Sequence, residues 1–311
     1  MASSPPLILP MRTILPTVAF VALVSFATSA SSAMAQRLRP RDVDTLPSRA
    51  PDLVASYGAD SLQVGELRLP KGQGPFPLVV VIHGGCWTRG YATRRNTAAV
   101  ASALADEGMA TWNVEYRQAG DPGGGWPNSY LDIASAVDHA RTLATRYPID
   151  TSHVVVIGHS AGAHLALWAA ARHTLPVGSV VRGANPLRVR AAVAIDGPGD
   201  LAGLVGRDAE ICGRPVIAPF MGGTPSEVSS RYAEGSPLAR LPFGAAQYLV
   251  SATVLTADEA KAYQAAAQRA GDRVTLLDAP EGGHFGVIAP GTRFWPPVAA
   301  FIRQAVEIRR P

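Results

Sequence analysis

The chain has 311 residues, 47% of them hydrophobic, which is enough to bury the core of one α/β domain of roughly 250 residues. Its net charge of +4 comes almost wholly from scattered arginines, since only Lys71 and Lys261 are lysines. Without a basic cluster or interleaved aromatics this reads as a solvated surface and excludes a nucleic-acid partner. Met11 and Arg12 open a short positive stretch, residues 14–27 form an apolar run, and Ala33, Met34 and Ala35 make a small-x-small site. This is the pattern of a secretory signal peptide over residues 1–35, cut after Ala35, with Met11 as an alternative start. The apolar run is shorter than the roughly 20 residues of a spanning helix, and Ser, Thr and Pro dilute it, so no stable membrane anchor is expected. The expected location is secreted or periplasmic, where Cys86 and Cys212 have the choice of pairing or remaining free thiols.

Residues 36–51 are polar and proline-bearing and read as an extended leader. A single domain is expected over residues 52–311. Residues 53–57 and 61–69 can form a hairpin, with an irregularity at Gly65. Residues 78–82 (Leu-Val-Val-Val-Ile) are apolar without alternation, as suits a strand buried on both faces of a parallel sheet. The pattern predicts a helix over 93–107, a strand over 110–116, a helix over 130–147, a strand over 154–157, a helix over 161–172 and a strand over 191–195. Residues 197–242 break the rhythm with many Gly and Pro and are read as an irregular excursion, in which Phe220 and Met221 are candidates to cover a pocket. A strand over 247–250, a helix over 258–270, a strand over 274–277 and a helix over 295–309 complete the alternation. Strand and helix in turn predict a mostly parallel sheet covered by helices on both faces.

Gly158-His159-Ser160-Ala161-Gly162 is a G-x-S-x-G motif lying between a buried strand and a helix, which is the context that exposes a nucleophilic serine on a tight turn. The alternative is a serine that only caps the helix, which leaves both glycines unexplained. His83-Gly84-Gly85-Cys86-Trp87 follows the strand at 78–82. Acyl transfer puts negative charge on a carbonyl oxygen, and preorganised backbone N–H groups stabilise it. Gly85 and Cys86 from this loop, with Ala161 after the serine, are the expected donors, and Trp87 is expected to pack against the loop or substrate. His284, on the glycine-bearing loop after the last strand, is the expected base, with His159 pointing away from the serine.

The HGG and GHSAG pair resembles the esterase/lipase-type α/β-hydrolases, close to the kynurenine formamidase-like, hormone-sensitive-lipase-like and BD-FAE-like branches, from about residue 53 to the C-terminus. The resemblance implies an α/β-hydrolase fold, a leading His83 that shapes its loop, and a triad acid after the strand at 247–250 within G-x-x-D. This sequence departs there: Asp258 is the nearest carboxylate, with Glu259 behind it and Asp196 and Asp200 as fallbacks. Asp258 also fits a helix cap. The resemblance also sets the loop 119–128 beside the pocket, where Trp126 is a candidate wall or a clamp for its own loop. Asp132 is read as structural and paired with Arg117. No H-E-x-x-H, G-x-G-x-x-G or Walker loop is present, so neither metal nor cofactor is implied. The expected partner is a small ester, or less often an amide, attacked through an acyl-Ser160 intermediate. Arylformamidase or small-peptidase chemistry is the alternative on the same fold. A non-catalytic binding protein with an eroded triad is the alternative of another class, and oligomeric state is open.

Overall fold

The apolar run at 78–82 lies in the middle of an eight-stranded sheet. It belongs to β3 (Phe76–Ile82), which pairs in parallel with β4 (Ala110–Val114) and with β5 (Ile149–His159). Beyond β5, the parallel series continues through β6 (Ala191–Ile195), β7 (Ala246–Ser251) and β8 (Val274–Asp278). The predicted hairpin forms from β1 (Leu53–Ser56) and β2 (Val64–Arg68), and β2 joins β4 antiparallel, giving the order β1-β2-β4-β3-β5-β6-β7-β8. This computed structural model describes residues 1–4 and 38–307. The chain divides into the units Met1–Gln36 and Arg37–Pro311. The predicted signal features at residues 11–35 lie outside the described residues.

Period-two alternation explains why β3 is apolar throughout. Leu78, Val80 and Ile82 face one core with Trp112, Val156 and the helix Ala161–Ala171. Val79 and Val81 face the other, with Val155, Val193 and the helices Ala98–Asp106 and Trp295–Glu307. A strand covered by helices on both faces has no wet side, and each buried Val, Leu or Ile contributes about 1.5–3 kcal/mol. No helix among the described residues is long and apolar enough to cross a membrane.

Several local expectations change. The register runs evenly through Gly65, opposite Ala55 and Val114, and the Trp112 ring fills the space a side chain would take there. The leader contains a helical turn, Pro40–Asp44, whose Val43 is buried in the second core. The helix expected over 130–147 is two pieces, Asn128–Asp138 and Ala140–Leu143. Residues 197–242 fold into short helices, Asp208–Cys212, Ile217–Met221 and Ser229–Gly235. Phe220 and Met221 are fully buried against the core, so they support this segment from below instead of covering a pocket. Parallel strands place their carboxyl ends at one edge of the sheet, where ligands of such folds bind. The ends of β3, β5, β6 and β7 there carry His83, Ser160, Asp196 and the loop 252–255.

Candidate active site

Ser160 occupies the turn between β5 and the helix Ala161–Ala171, with φ 56° and ψ −120°, a left-handed conformation that is costly outside glycine. The turn is tight enough that its two flanking glycines are obligatory. A Cβ on Gly158 would lie 2.0 Å from the Gly162 carbonyl oxygen, and one on Gly162 would lie 2.3 Å from that of Ile82. The Ser160 N–H donates to the Ile195 carbonyl at 2.9 Å, which fixes the serine beside the end of β6.

The residue after Ile195 is Asp196, also at positive φ (48°) and with no exposed side chain. Its Oδ2 accepts from His284 Nδ1 at 2.7 Å and from the Thr253 hydroxyl at 3.1 Å. Its Oδ1 accepts the backbone N–H groups of Ala252, Thr253, Val254 and Leu255 at 2.9–3.1 Å. Asp196 is therefore the carboxylate that meets the expected base, and the assignment of Asp258 is corrected. Asp258 points into solvent from the first turn of the helix Ala257–Ala270, 99% exposed, facing Lys261 at 3.9 Å. Glu259 closes a capping box with Thr256 and pairs with Arg207, and Asp200 caps its own turn by accepting from Ala202 and Gly203. The loop after β7, the expected place of the acid, supplies amides to a carboxylate carried at the end of β6.

His284 lies on the helical turn Gly283–Gly286. His159 does not simply point away. Its ring packs on that of His284 with centroids 4.3 Å apart, and its Nε2–H donates to the His284 carbonyl at 2.7 Å. Burial, then the nearby charge of His284, pull the His159 pKa down to about 3, so it is a neutral prop under the base.

The loop after β3 is held from beneath. His83 is buried, with Nε2 2.6 Å from Glu115 Oε1, Nδ1 2.8 Å from the Gly84 carbonyl, and its ring stacked on Tyr116. This bears out a shaping role for His83. Gly85, Cys86 and Trp87 all have positive φ. Among the described residues, the N–H groups of Gly85, Cys86 and Ala161 donate to no other group, as an oxyanion site requires. Trp87 is buried, donates from Nε1 to His164 Nδ1 at 3.1 Å and stacks on Phe220. It lines a small cleft with Cys86, Ser160, Ala161, Leu204, Ile211 and Val254. Trp126 is not among the residues lining this cleft. It packs edge-on to Tyr130 in the helix that follows its loop. Asp132 takes the Arg117 guanidinium on both oxygens, at 2.6 and 2.8 Å, as expected. Cys86 and Cys212 are joined in a disulfide with Cα atoms 6.1 Å apart.

Two buried carboxylates contribute to the acid limb of stability. For Asp196, burial raises the pKa, but the His284 hydrogen bond and charge and the loop amides outweigh it, and the net shift is down. For Glu115, burial again raises it, and the charge and hydrogen bond of His83 bring it below the ordinary value. A depressed folded pKa gives stability that is complete above the unfolded carboxylate value of about 4 and is lost as pH falls through the lower folded value. Urea unfolding should therefore show stability falling steeply below about pH 4, with Glu115→Gln flattening that slope. A wild-type curve that stays level there would contradict this account of the two carboxylates.

Residues 66–242, more than half of the chain, match the BD-FAE family profile. Esterase LipC of Mycobacterium tuberculosis (strain ATCC 25618 / H37Rv) is 32% identical over 115 residues, which are 36% of this chain and 28% of that protein. A probable carboxylic ester hydrolase of the same organism, LipM, is 31% identical over 97 residues, 31% of this chain and 22% of that one. The chain thus spans about a quarter of the length of these curated relatives. Among solved structures, a truncated carbohydrate esterase from gut microbiota superposes with a TM-score of 0.66 at 22% identity, covering 81% of this chain and 95% of that one. Esterase B from Lactobacillus rhamnosis gives 0.67 at 16% identity, covering 83% and 88%. These likenesses establish the fold as that of the α/β-hydrolases. The profile match over more than half of the chain shows that it belongs to the BD-FAE family.

Proposed function

We propose that this protein is a carboxylic ester hydrolase in which Ser160 is the nucleophile, His284 the general base and Asp196 the group that orients it. The observation that carries the reading is the Asp196–His284 hydrogen bond beside the strained turn of Ser160, with unused N–H donors at Gly85, Cys86 and Ala161. His284 takes the Ser160 proton as the hydroxyl oxygen attacks the ester carbonyl, and returns it to the departing alcohol. The acyl group stays on Ser160 until water, deprotonated by the same imidazole, releases it. The three N–H groups receive the oxyanion at each tetrahedral stage, the kind of donor whose loss costs about 10²–10³-fold in kcat. Asp196, fixed by four backbone amides, holds the imidazole in one tautomer and balances its charge. Among the described residues the Ser160 hydroxyl makes no hydrogen bond. Catalytic contacts in an unliganded site are commonly loose and tighten around substrate.

The esterase names of the relatives favour an ester over an amide, and the same machinery would cleave formamides or small peptides. The binding-protein alternative rests on a missing acid, and the Asp196–His284 hydrogen bond weighs against it. Export remains part of the proposal, supported by the N-terminal pattern and by the Cys86–Cys212 disulfide, a bond suited to an oxidising compartment.

A fluorophosphonate probe should label the protein at Ser160, and nitrophenyl acetate and butyrate should be turned over. Ser160→Ala should abolish both. Equal labelling of that variant, or no labelling of wild type, would end the serine-hydrolase reading. Parallel assays on anilides and formanilides decide between ester, amide and formamide chemistry.

A further inference from the structure

The cleft at Ser160 has a cavity volume of only ≈ 10 Å³, about the space of one water molecule. An ester cannot be accommodated there alone. Beyond Pro198, Leu204 and Val254, which are walls of that cleft, lies a second cavity of ≈ 270 Å³ that shares the same three residues. Its far side is made by Leu238, by Leu255 and by one face of the helix Ala257–Ala270 carrying Ala262, Tyr263 and Ala266. The Arg207–Glu259 ion pair joins the segment after β6 to that helix at the cavity's rim.

Resting on the reading of Ser160 as nucleophile, we propose that this cavity is the subsite for the apolar arm of the ester, with Leu204 and Val254 as the partition the arm passes. Three observations support it. The walls are apolar except for Asp200, Arg207 and Glu259, and two of these three charges neutralise each other, so a neutral hydrocarbon arm is favoured over a charged one. The volume approaches the lower end of ordinary small-molecule sites, about 300 Å³. Val254 and Leu255 also belong to the loop whose amides hold Asp196, so an arm lodged here packs against the support of the acid. Ala262 and Ala266 are small residues one helical turn apart on the face that borders the cavity, and they set its depth.

The test uses kcat/KM on two series. One varies the acyl group from acetate to octanoate on a constant nitrophenyl alcohol, and the other varies the alcohol from methyl to hexyl and naphthyl on a constant acetate. The series with the steeper dependence identifies which side of the ester enters the cavity. Ala262→Trp and Ala266→Trp fill the space from a helix surface, and melting temperature and fluorophosphonate labelling report that each variant is folded. In at least one series the ratio of long-arm to short-arm kcat/KM should fall tenfold or more, the scale on which apolar pockets discriminate. Turnover and labelling with both ratios unchanged in folded variants would overturn the subsite and leave the hydrolase reading intact. Absence of turnover and labelling in wild type would overturn the hydrolase reading, and the subsite with it.

Discussion

Asp196→Asn should lower kcat for a nitrophenyl ester by about 10³–10⁴-fold with little change in KM, whereas Asp258→Asn should stay within about twofold of wild type. The asymmetry follows from what each carboxylate touches. Asp196 is buried, and one of its oxygens is already saturated by four backbone N–H groups, so the asparagine carbonyl is drawn to that side. Its amide NH₂ then faces His284 Nδ1, where a hydrogen-bond acceptor stood. The imidazole must put its proton on the other nitrogen, the one that should accept from Ser160, and the charged imidazolium loses its counter-ion. Both effects act on the transition state, which is why kcat moves and KM does not. Asp258, nearly fully exposed and paired only loosely with Lys261, has no route to the imidazole. Steady-state kinetics on the two variants, with circular dichroism to verify folding, decide the matter. Near-normal turnover by Asp196→Asn would remove it from the triad.

Breaking the disulfide should be the next largest effect, on stability and on rate together. Cys86 and Cys212 are 126 residues apart in sequence. Closing so long a loop restricts the unfolded chain strongly, and losing such a bridge typically costs about 2–5 kcal/mol. The bond also joins the loop after β3, at a residue proposed to donate an N–H to the oxyanion, to the helix Asp208–Cys212. That helix is itself held by Tyr91, whose hydroxyl donates to the Cys212 carbonyl at 2.6 Å, and by Asp208, which accepts from Val216 and Ile217. Cys212→Ser, or full reduction of wild type, should lower the urea midpoint and also kcat, as the loop loses its fixed orientation toward Ser160. Reduction that leaves both the urea midpoint and kcat unchanged would show that packing of Trp87 on Phe220 holds the loop without the bridge.

Features set by local constraints were legible in the sequence. The run at 78–82 suited a strand covered on both sides, and it is one. Gly158 and Gly162 mark a turn in which any side chain would strike backbone within 2.3 Å. His284 followed the last strand of the alternation. The mostly parallel sheet and the helices on both faces followed from that alternation, though the strand order, the break at His139 and the helical turn at Pro40–Asp44 did not show, because they depend on what each element packs against.

The acid and the cysteine pair belong to a different category. Asp196 is one carboxylate among many until β6 is laid between β5 and β7. Only then does the loop 252–255 bring four amides to one oxygen, and only then does the chain from β8 return His284 to the other. The disulfide likewise depends on a segment 126 residues away in the chain reaching the loop after β3. The sequence by itself determined the tight G-x-S-x-G turn at Ser160, the glycine loop after β3 and the place of His284 after the last strand, since each is specified by the few residues around it. The tertiary structure alone decided which carboxylate meets His284, the bridge and the cavity next to the Ser160 cleft, because these arise from contacts between segments distant in the chain, which no local pattern encodes.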